Sequence, residues 1–157
     1  EEDSTYRAAE RARAALAART VDVLQLGEMQ PERDHAFASN HSDLLSWGGR
    51  SGRQAWWGIG NYIEFDLAVR DGPMVLRALY WGEEVDKNFE ISIDGERIAV
   101  ERRDEPPKKE FVMRDYPIPG QLTHGKSTVR VRFETRGSDA PVYEVRMLEG
   151  ETAGETA

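Results

Sequence analysis

Aromatic residues concentrated in the middle of the chain are the first candidates for ligand-binding chemistry. Sugars present flat C–H faces that stack on aromatic rings, and neighbouring polar side chains fix their hydroxyl groups. Arginine offers a fork of donors for hydroxyl or carboxylate oxygens, and glycine lets a ligand approach the backbone closely. A glycine-containing segment that we expect to be a loop combines these residue types, and its candidate ligand-binding residues are Trp47, Arg50, Arg53 and Trp56.

A second aromatic and acidic pair lies further along the chain, at Trp81 and Glu83. At the edge of a sugar site, Glu83 would supply hydrogen-bond acceptors beside the ring of Trp81, whereas in a solvated hairpin the same acidic segment has no ligand. Trp57 and Trp81 also fit a second interpretation, because tryptophan often anchors a core or a protein interface. The sequence leaves both interpretations open.

Composition removes several kinds of chemistry. The chain has no cysteine, which excludes disulfides, zinc–thiolate sites and a thiol nucleophile. Its formal net charge of −8 disfavours nucleic acid and anionic membranes as partners. No apolar run reaches the length of a transmembrane helix, and the acidic residues 1–3 do not resemble the start of a signal peptide.

Patterns typical of catalysis are missing as well. The three histidines do not show the HExxH spacing of a zinc enzyme, and neither a Ser-His-Asp order nor a glycine-rich phosphate loop is present. A glycosidase needs one carboxylic acid whose pKa is raised by burial. Glu64 and Asp66 fall on the polar face of a strand, where nothing desolvates them. The sequence therefore predicts that this chain is not an enzyme.

The candidate residues must be positioned by strands. Apolar and polar residues alternate at 62–69 and at 89–93, which is the period of a strand with one buried face. Residues 74–81 are almost all apolar, as in a strand covered on both faces. Further strands are predicted at 20–26, 97–102, 110–116, 128–134 and 142–148. Pro117 and Pro119 are expected to end the strand at 110–116. A long polar loop is expected at 27–45.

Short strands at regular spacing, without helices between them, indicate an all-β fold in the form of an antiparallel β-sandwich. We expect an N-terminal helix or linker at 1–19, the sandwich domain at 20–149 and a frayed tail at 150–157. The N-terminal helix has only a weak apolar stripe, so we expect it to pack on a partner domain or on the edge of the sandwich.

Five motifs together carry a resemblance to a known family. They are GEMQPERDH at 27–35, YWG at 80–82, FEISIDGERIA at 89–99, DYPIP at 115–119 and VRML at 145–148. The segment order resembles a carbohydrate-binding jelly roll of the galactose-binding-like type. The motifs are similar to the C-terminal, non-catalytic β-sandwich domain attached to bacterial glycoside hydrolase family 127 proteins, the β-L-arabinofuranosidases. The resemblance covers about residues 20–149 and implies an extracellular or periplasmic location.

The resemblance also implies a metal site to be tested. Jelly-roll modules of this type often hold a structural Ca²⁺ where the first and last strands meet, and Glu28 and Glu149 are the candidate ligands. An alternative is that the acidic residues between 28 and 35 form ion pairs with Arg33 or Arg146.

Two functions follow as hypotheses. The first is a non-catalytic accessory domain of a carbohydrate-active enzyme that binds an oligo- or polysaccharide through loop aromatics. The second is a structural module that docks on the catalytic domain of a parent glycoside hydrolase and binds no sugar itself. An exposed Trp47 or Trp56 favours the first hypothesis, whereas an apolar patch running onto the N-terminal helix favours the second.

Overall fold

The computed structural model describes residues 2–150. Of the tail expected to fray at 150–157, all but Gly150 lies outside the described residues. The elements are α1 (Glu2–Arg19), β1 (Thr20–Gln25), α2 (Met29–Asp34), β2 (Ala38–Ser39), β3 (Ser42–Trp47), β4 (Arg50–Ala68), β5 (Met74–Trp81), β6 (Lys87–Ile93), β7 (Glu96–Arg103), β8 (Phe111–Ile118), a 3-10 turn (Gly120–Leu122), β9 (Thr128–Val142) and β10 (Glu144–Glu149).

The strands form two antiparallel sheets that face each other. One sheet has the order β1-β10-β5-β8, and the other has the order β2-β4-β9-β6-β7, with β3 also paired to β4. A single residue, Tyr143, joins β9 in the second sheet to β10 in the first. The all-β sandwich with an N-terminal helix is thus confirmed. No helix within residues 2–150 combines the length and the apolar character needed to cross a membrane.

The core lies between the sheets and follows the alternation seen in the sequence. Ile63, Phe65 and Leu67 of β4 are fully buried, and the register sets Ile63 opposite Phe133 of β9. The rings of Phe89 and Phe133 lie 5.9 Å apart on neighbouring strands. Each such side chain contributes about 1.5–3 kcal/mol to folding when it is fully buried. Period-two alternation therefore identified the strands that build the core.

The segment between residues 27 and 61, which includes the expected long loop at 27–45, contains regular structure. It contains α2, β2 and β3, and β4 begins at Arg50 and not near Tyr62. Register shifts between Ala55 and Tyr62 interrupt the alternation, because bulged residues leave the period of two. The strand containing Pro117 also runs two residues further than predicted, since β8 is an edge strand where a missing N–H is tolerated.

An ion pair fixes α2 against β4 and gives Arg53 a structural place. Arg53 donates from Nε and Nη2 to the two carboxylate oxygens of Glu32, each at 3.0 Å. Glu32 is buried and also accepts the Gly27 N–H at 2.7 Å. The Arg53 guanidinium lies 4.9 Å from the ring centroid of Phe37. Arg53 is therefore engaged with the protein itself, and Glu32 is paired with Arg53 and not with Arg33.

We expect Arg53→Met to destabilise the fold. The change leaves the buried Glu32 carboxylate without its partner, which costs about 3 kcal/mol, the lower end of the usual range, because Arg53 is partly exposed. Urea denaturation followed by tryptophan fluorescence measures the loss. The matched control is Arg33→Met, which removes the same charge from an exposed position and should change stability by less than about 0.5 kcal/mol. Equal losses in the two variants would show that the ion pair does not hold α2.

Candidate ligand-binding site

The turn between β3 and β4 places Trp47 beside Trp81. Gly48 and Gly49 adopt φ values of +55° and +79°, the left-handed conformation that a two-residue hairpin turn of type I′ requires. The turn lies over the outer face of the four-stranded sheet, where a Cβ on Gly48 would meet the Phe111 ring at 2.7 Å. The Trp47 and Trp81 rings are nearly parallel, with an interplanar angle of 3° and centroids 6.3 Å apart.

Packing beneath the hairpin fixes these rings. The Trp81 ring meets Phe111 edge-on at 4.9 Å, and Phe111 meets Tyr143 edge-on at 5.3 Å. Trp47, by contrast, is 53% exposed. We call the surface formed by Trp47, Trp81 and Phe111 the tryptophan platform. In this platform the Trp47 ring is exposed, and Trp81 and Phe111 are held by packing. An exposed ring of this kind can stack against a flat apolar face of a ligand.

Polar groups surround the tryptophan platform. Arg50 donates from Nη2 to Gln25 Oε1 at 2.6 Å and to Glu144 Oε1 at 2.7 Å, which leaves its Nε and Nη1 hydrogens for a ligand. Its guanidinium lies 5.8 Å from the ring centroid of Phe111. Trp81 Nε1 donates to Glu83 Oε1 at 3.1 Å. The site therefore combines hydrogen-bond donors and acceptors with an apolar surface.

Glu84 adds a second acidic group to this end of the sandwich. It accepts a hydrogen bond from the Tyr143 hydroxyl at 3.0 Å. Burial raises the pKa of Glu84, and the hydrogen bond from Tyr143 and the charge of Lys87 only partly oppose that rise. Glu84 belongs to the acidic segment that the sequence places beside Trp81. Sequence analysis missed Tyr143 and Phe111 as site residues, because their neighbourhood depends on strand pairing and no local pattern marks them.

The structure brings together four of the six predicted ligand-binding residues: Trp47, Arg50, Trp81 and Glu83. Trp56 lies elsewhere, since Trp47 pairs with Arg50 at one end of β3 and Ser42 pairs with Ala55 at the other. Five residue steps along a strand separate these ends by roughly 17 Å. Both tryptophans also lie on strands and not in a loop, as the register of β3 with β4 shows.

Trp57 is not a core residue, contrary to one of the two interpretations. It is 69% exposed, and its neighbours Trp56 and Ile59 are 45% and 85% exposed. The bulged part of β4 turns these side chains outward, with Gly58 and Gly60 at positive φ. The Asn61 amide donates to the carbonyls of Trp56 and Trp57 at 3.1 and 3.2 Å, which holds the bulge. We call Trp56, Trp57 and Ile59 the bulge patch.

The two candidate calcium ligands do not lie together. Thr20 of β1 pairs with Leu148, whereas Gln25 pairs with Glu144, so Glu28 and Glu149 lie beyond opposite ends of β1. Glu149 pairs instead with Arg70 at 3.1 Å, and Arg146 pairs with Glu144 at 3.2 Å. Across residues 3–150 no three His, Cys, Asp or Glu side chains are grouped so that they could hold a metal ion. These two residues therefore do not fit one shared Ca²⁺.

The environment of Glu64 does not suit acid catalysis. Partial burial opposes ionisation of this group, but hydrogen bonds and charge from Arg132 and Arg130 lower the pKa of Glu64 overall. Arg132 Nε donates to Glu64 Oε1 at 2.8 Å. A general acid in glycoside hydrolysis requires a raised pKa. Glu64 is instead held as a carboxylate in an ion-pair network.

The Gly48 contact with Phe111 provides a test of the platform's packing. We expect Gly49→Ala to cost about 1–2 kcal/mol, because alanine resists the left-handed conformation and a Cβ there meets nothing within 4 Å. Gly48→Ala should cost about 1–3 kcal/mol more, since its Cβ also overlaps the Phe111 ring. Urea denaturation and near-ultraviolet circular dichroism compare the two variants. Indistinguishable stabilities would mean that the hairpin does not rest on Phe111.

Solved structures with a similar fold include carbohydrate-binding modules. A family 35 module from Clostridium thermocellum superposes with a TM-score of 0.60 at 13% identity, covering 82% of this chain and 97% of that one. A family 35 module from an environmental isolate gives 0.62 at 12% identity, covering 82% and 93%. The CBM36-1 domain of a multidomain xylanase from the hindgut metagenome of Trinervitermes trinervoides gives 0.53 at 10% identity, covering 83% and 98%.

At these identities the likeness establishes the jelly-roll fold and nothing finer. No curated protein matches the sequence. One family model does match, over residues 15–148, which include all ten strands apart from the last residue of β10. The chain therefore belongs to DUF6805, a family of unknown function.

Proposed function

We propose that this domain binds carbohydrate on the tryptophan platform. The observation that carries the proposal is the open ring of Trp47, held nearly parallel to Trp81 beside the free donors of Arg50. A sugar ring would stack on Trp47 through its C–H face, while Arg50 donates to a hydroxyl or carboxylate oxygen. Glu83 would accept from a second hydroxyl group.

Pre-organisation supports this assignment. Trp81 and Phe111 are locked by their edge-on contact, and Arg50 is anchored by Gln25 and Glu144. A binding surface that is already ordered loses less conformational entropy when a ligand arrives, so more of the contact energy appears as affinity. The jelly-roll scaffold of the neighbouring modules is consistent with such a surface, since their names describe them as carbohydrate-binding.

The biological setting belongs to the same proposal. The chain would be a non-catalytic accessory domain of a secreted bacterial carbohydrate-active enzyme of the glycoside hydrolase family 127 type, outside the cell or in the periplasm. In that setting it would hold an oligo- or polysaccharide near a catalytic domain, and tethering raises the local concentration of the bound substrate.

We expect Trp47→Ala to weaken sugar binding at least about tenfold, equivalent to about 1.4 kcal/mol. Isothermal titration calorimetry against arabinose-, galactose- and uronate-containing oligosaccharides provides the measurement, with Ca²⁺ present and again with EDTA. Trp57→Ala is the matched control, because it removes an even more exposed tryptophan from the bulge patch and should leave affinity within about twofold.

Two outcomes would contradict this function. Saturable heat that is unchanged in Trp47→Ala would move the binding surface away from the tryptophan platform. An absence of heat across the whole panel, with the protein folded, would remove carbohydrate binding itself. If the binding heat is present with Ca²⁺ and absent with EDTA, binding requires a metal ion, at a site other than one shared by Glu28 and Glu149.

The bulge patch favours a second function, docking on the catalytic domain of a parent glycoside hydrolase. Three large apolar side chains exposed within four consecutive residues are typical of a protein interface. Tyr6 of α1 is exposed as well, but the remainder of this Ala- and Arg-rich helix offers little apolar surface. Docking would therefore use the bulge patch and not the N-terminal helix.

Docking predicts that this domain associates with a separately produced catalytic region of the same polypeptide. Sedimentation velocity should show a complex with the unaltered domain and none with the Trp57→Ala, Ile59→Ala double variant, because the apolar contact area is lost. Trp47→Ala should still associate, since Trp47 lies at the far end of β3. Failure of the unaltered domain to associate, or association of the double variant, would reject this interface.

A further inference from the structure

A small pocket with a mostly apolar exposed lining opens at the end of the sandwich where β7 leads into β8. It encloses about 200 Å³ and is lined by three cationic side chains, Arg103, Lys108 and Arg114, and by one carboxylate, Glu105. We propose that this pocket, named here the arginine pocket, binds the carboxylate group of a small acidic ligand. The inference does not depend on sugar binding at the tryptophan platform.

Arg103 forms the floor of the arginine pocket. Its side chain is only 1% exposed, and it lies with its guanidinium 4.9 Å from the ring centroid of Tyr80. It donates from Nη1 to the carbonyl of Glu84 at 3.1 Å. A buried cation is costly unless an anion and several acceptors compensate it. The groups around Arg103 therefore compensate the cost of burying its positive charge.

Glu105 shows that the two arginines are arranged to hold a carboxylate. A single oxygen, Oε2, accepts from Arg103 Nε at 3.2 Å, from Arg103 Nη2 at 3.1 Å and from Arg114 Nη2 at 2.6 Å. Burial opposes ionisation of this group, yet a backbone hydrogen bond and the two arginines lower the pKa of Glu105 overall. Its charge cancels one of the three positive charges, and the carboxylate of Glu84 lies close enough to interact with the charge of Arg103 as well.

The loop that carries Lys108 is held against the end of β5. Gly82 donates its N–H to Glu110 O at 2.8 Å, and Lys108 donates its N–H to Gly82 O at 3.0 Å. A Cβ on Gly82 would meet both Lys108 O and Glu110 O at 2.6 Å, so the loop packs directly on the end of β5. The Lys108 ammonium makes no ion pair with any residue between 3 and 150.

These features define the ligand by its chemistry. Planar guanidinium groups bind carboxylates through paired hydrogen bonds, and the unpaired ammonium of Lys108 adds a third donor. The volume accommodates one small group, well below the roughly 300–1,000 Å³ of a drug-sized site. The ligand is therefore a compact carboxylate, either the uronic acid residue of a glycan or a simple organic acid.

The arginine pocket and the tryptophan platform are separate sites. Tyr80 and Trp81 are consecutive on β5, so their side chains point to opposite faces of the sheet. Tyr80 faces the core and contacts Arg103, whereas Trp81 faces outward and contacts Trp47. A change in one site therefore tests that site without removing contacts from the other.

Titration with sodium glucuronate, followed by two-dimensional NMR of the backbone amides, tests the proposal. We expect saturable shifts at residues around Gly82 and Lys108, a dissociation constant weakened at least fivefold by Lys108→Gln, and similar weakening by Arg114→Gln. Lys109→Gln is the matched control, since this exposed neighbour does not line the pocket and should leave the affinity unchanged. Glucose, which lacks the carboxylate, should produce no shifts there.

Glu105→Gln distinguishes a binding site from a purely structural ion pair. Removing the internal carboxylate frees donors of Arg103 and Arg114, so glucuronate should bind several-fold more tightly. Parallel titration with succinate distinguishes the two candidate ligands. Tighter binding of glucuronate than of succinate indicates an acidic sugar, and equal affinity for the two indicates a simple organic acid. The proposal is overturned if glucuronate leaves the pocket resonances unmoved, or if Lys108→Gln and Glu105→Gln both leave its affinity unchanged.

Discussion

The antiparallel pairing of β4 with β9 is the constraint on which the rest of the structure depends. The ladder runs from Ala68 and Thr128 at one end to Arg53 and Val142 at the other. Beyond Val142 the chain enters β10 of the opposite sheet after one residue. The same two strands therefore tie both sheets together, fix where the β3–β4 turn reaches the outer face, and determine which part of β4 bulges. Side-chain burial alone would not set these positions.

Sequence periodicity predicted the strands in which one face is uniformly buried. Ile63, Phe65 and Leu67 alternate with polar residues, so β4 was recognised over that half. The other half escaped, because Gly58 and Gly60 adopt positive φ and shift the register against β9. Trp57 shows the consequence most clearly. Its residue type suggests a core position, but the bulge in β4 turns its side chain outward. The bulge depends on how β4 pairs with β9, which the sequence of one strand does not show.

The residues of the candidate site also differ in how far the sequence alone predicts them. Trp47 and Arg50 flank one tight turn, and Trp81 and Glu83 are two residues apart, so short-range patterns were enough to select them. Phe111 and Tyr143 come from other parts of the chain and meet these residues only after the sheets form. Arg53 was selected for its residue type, yet its charge is matched by the buried Glu32. Residue type indicates which chemistry is available, whereas pairing partners decide whether it remains free.

The direction of β5 has a consequence for how far this domain can reach. Its Met74 end pairs with Glu149, close to where α1 enters β1, whereas its Trp81 end carries the tryptophan platform and borders the arginine pocket. Seven residue steps separate these ends by roughly 24 Å. Any neighbour joined through α1 or through the segment after β10 would therefore be attached at one pole, with both proposed binding surfaces at the other. The sandwich acts as a rigid spacer whose length is set by its strands.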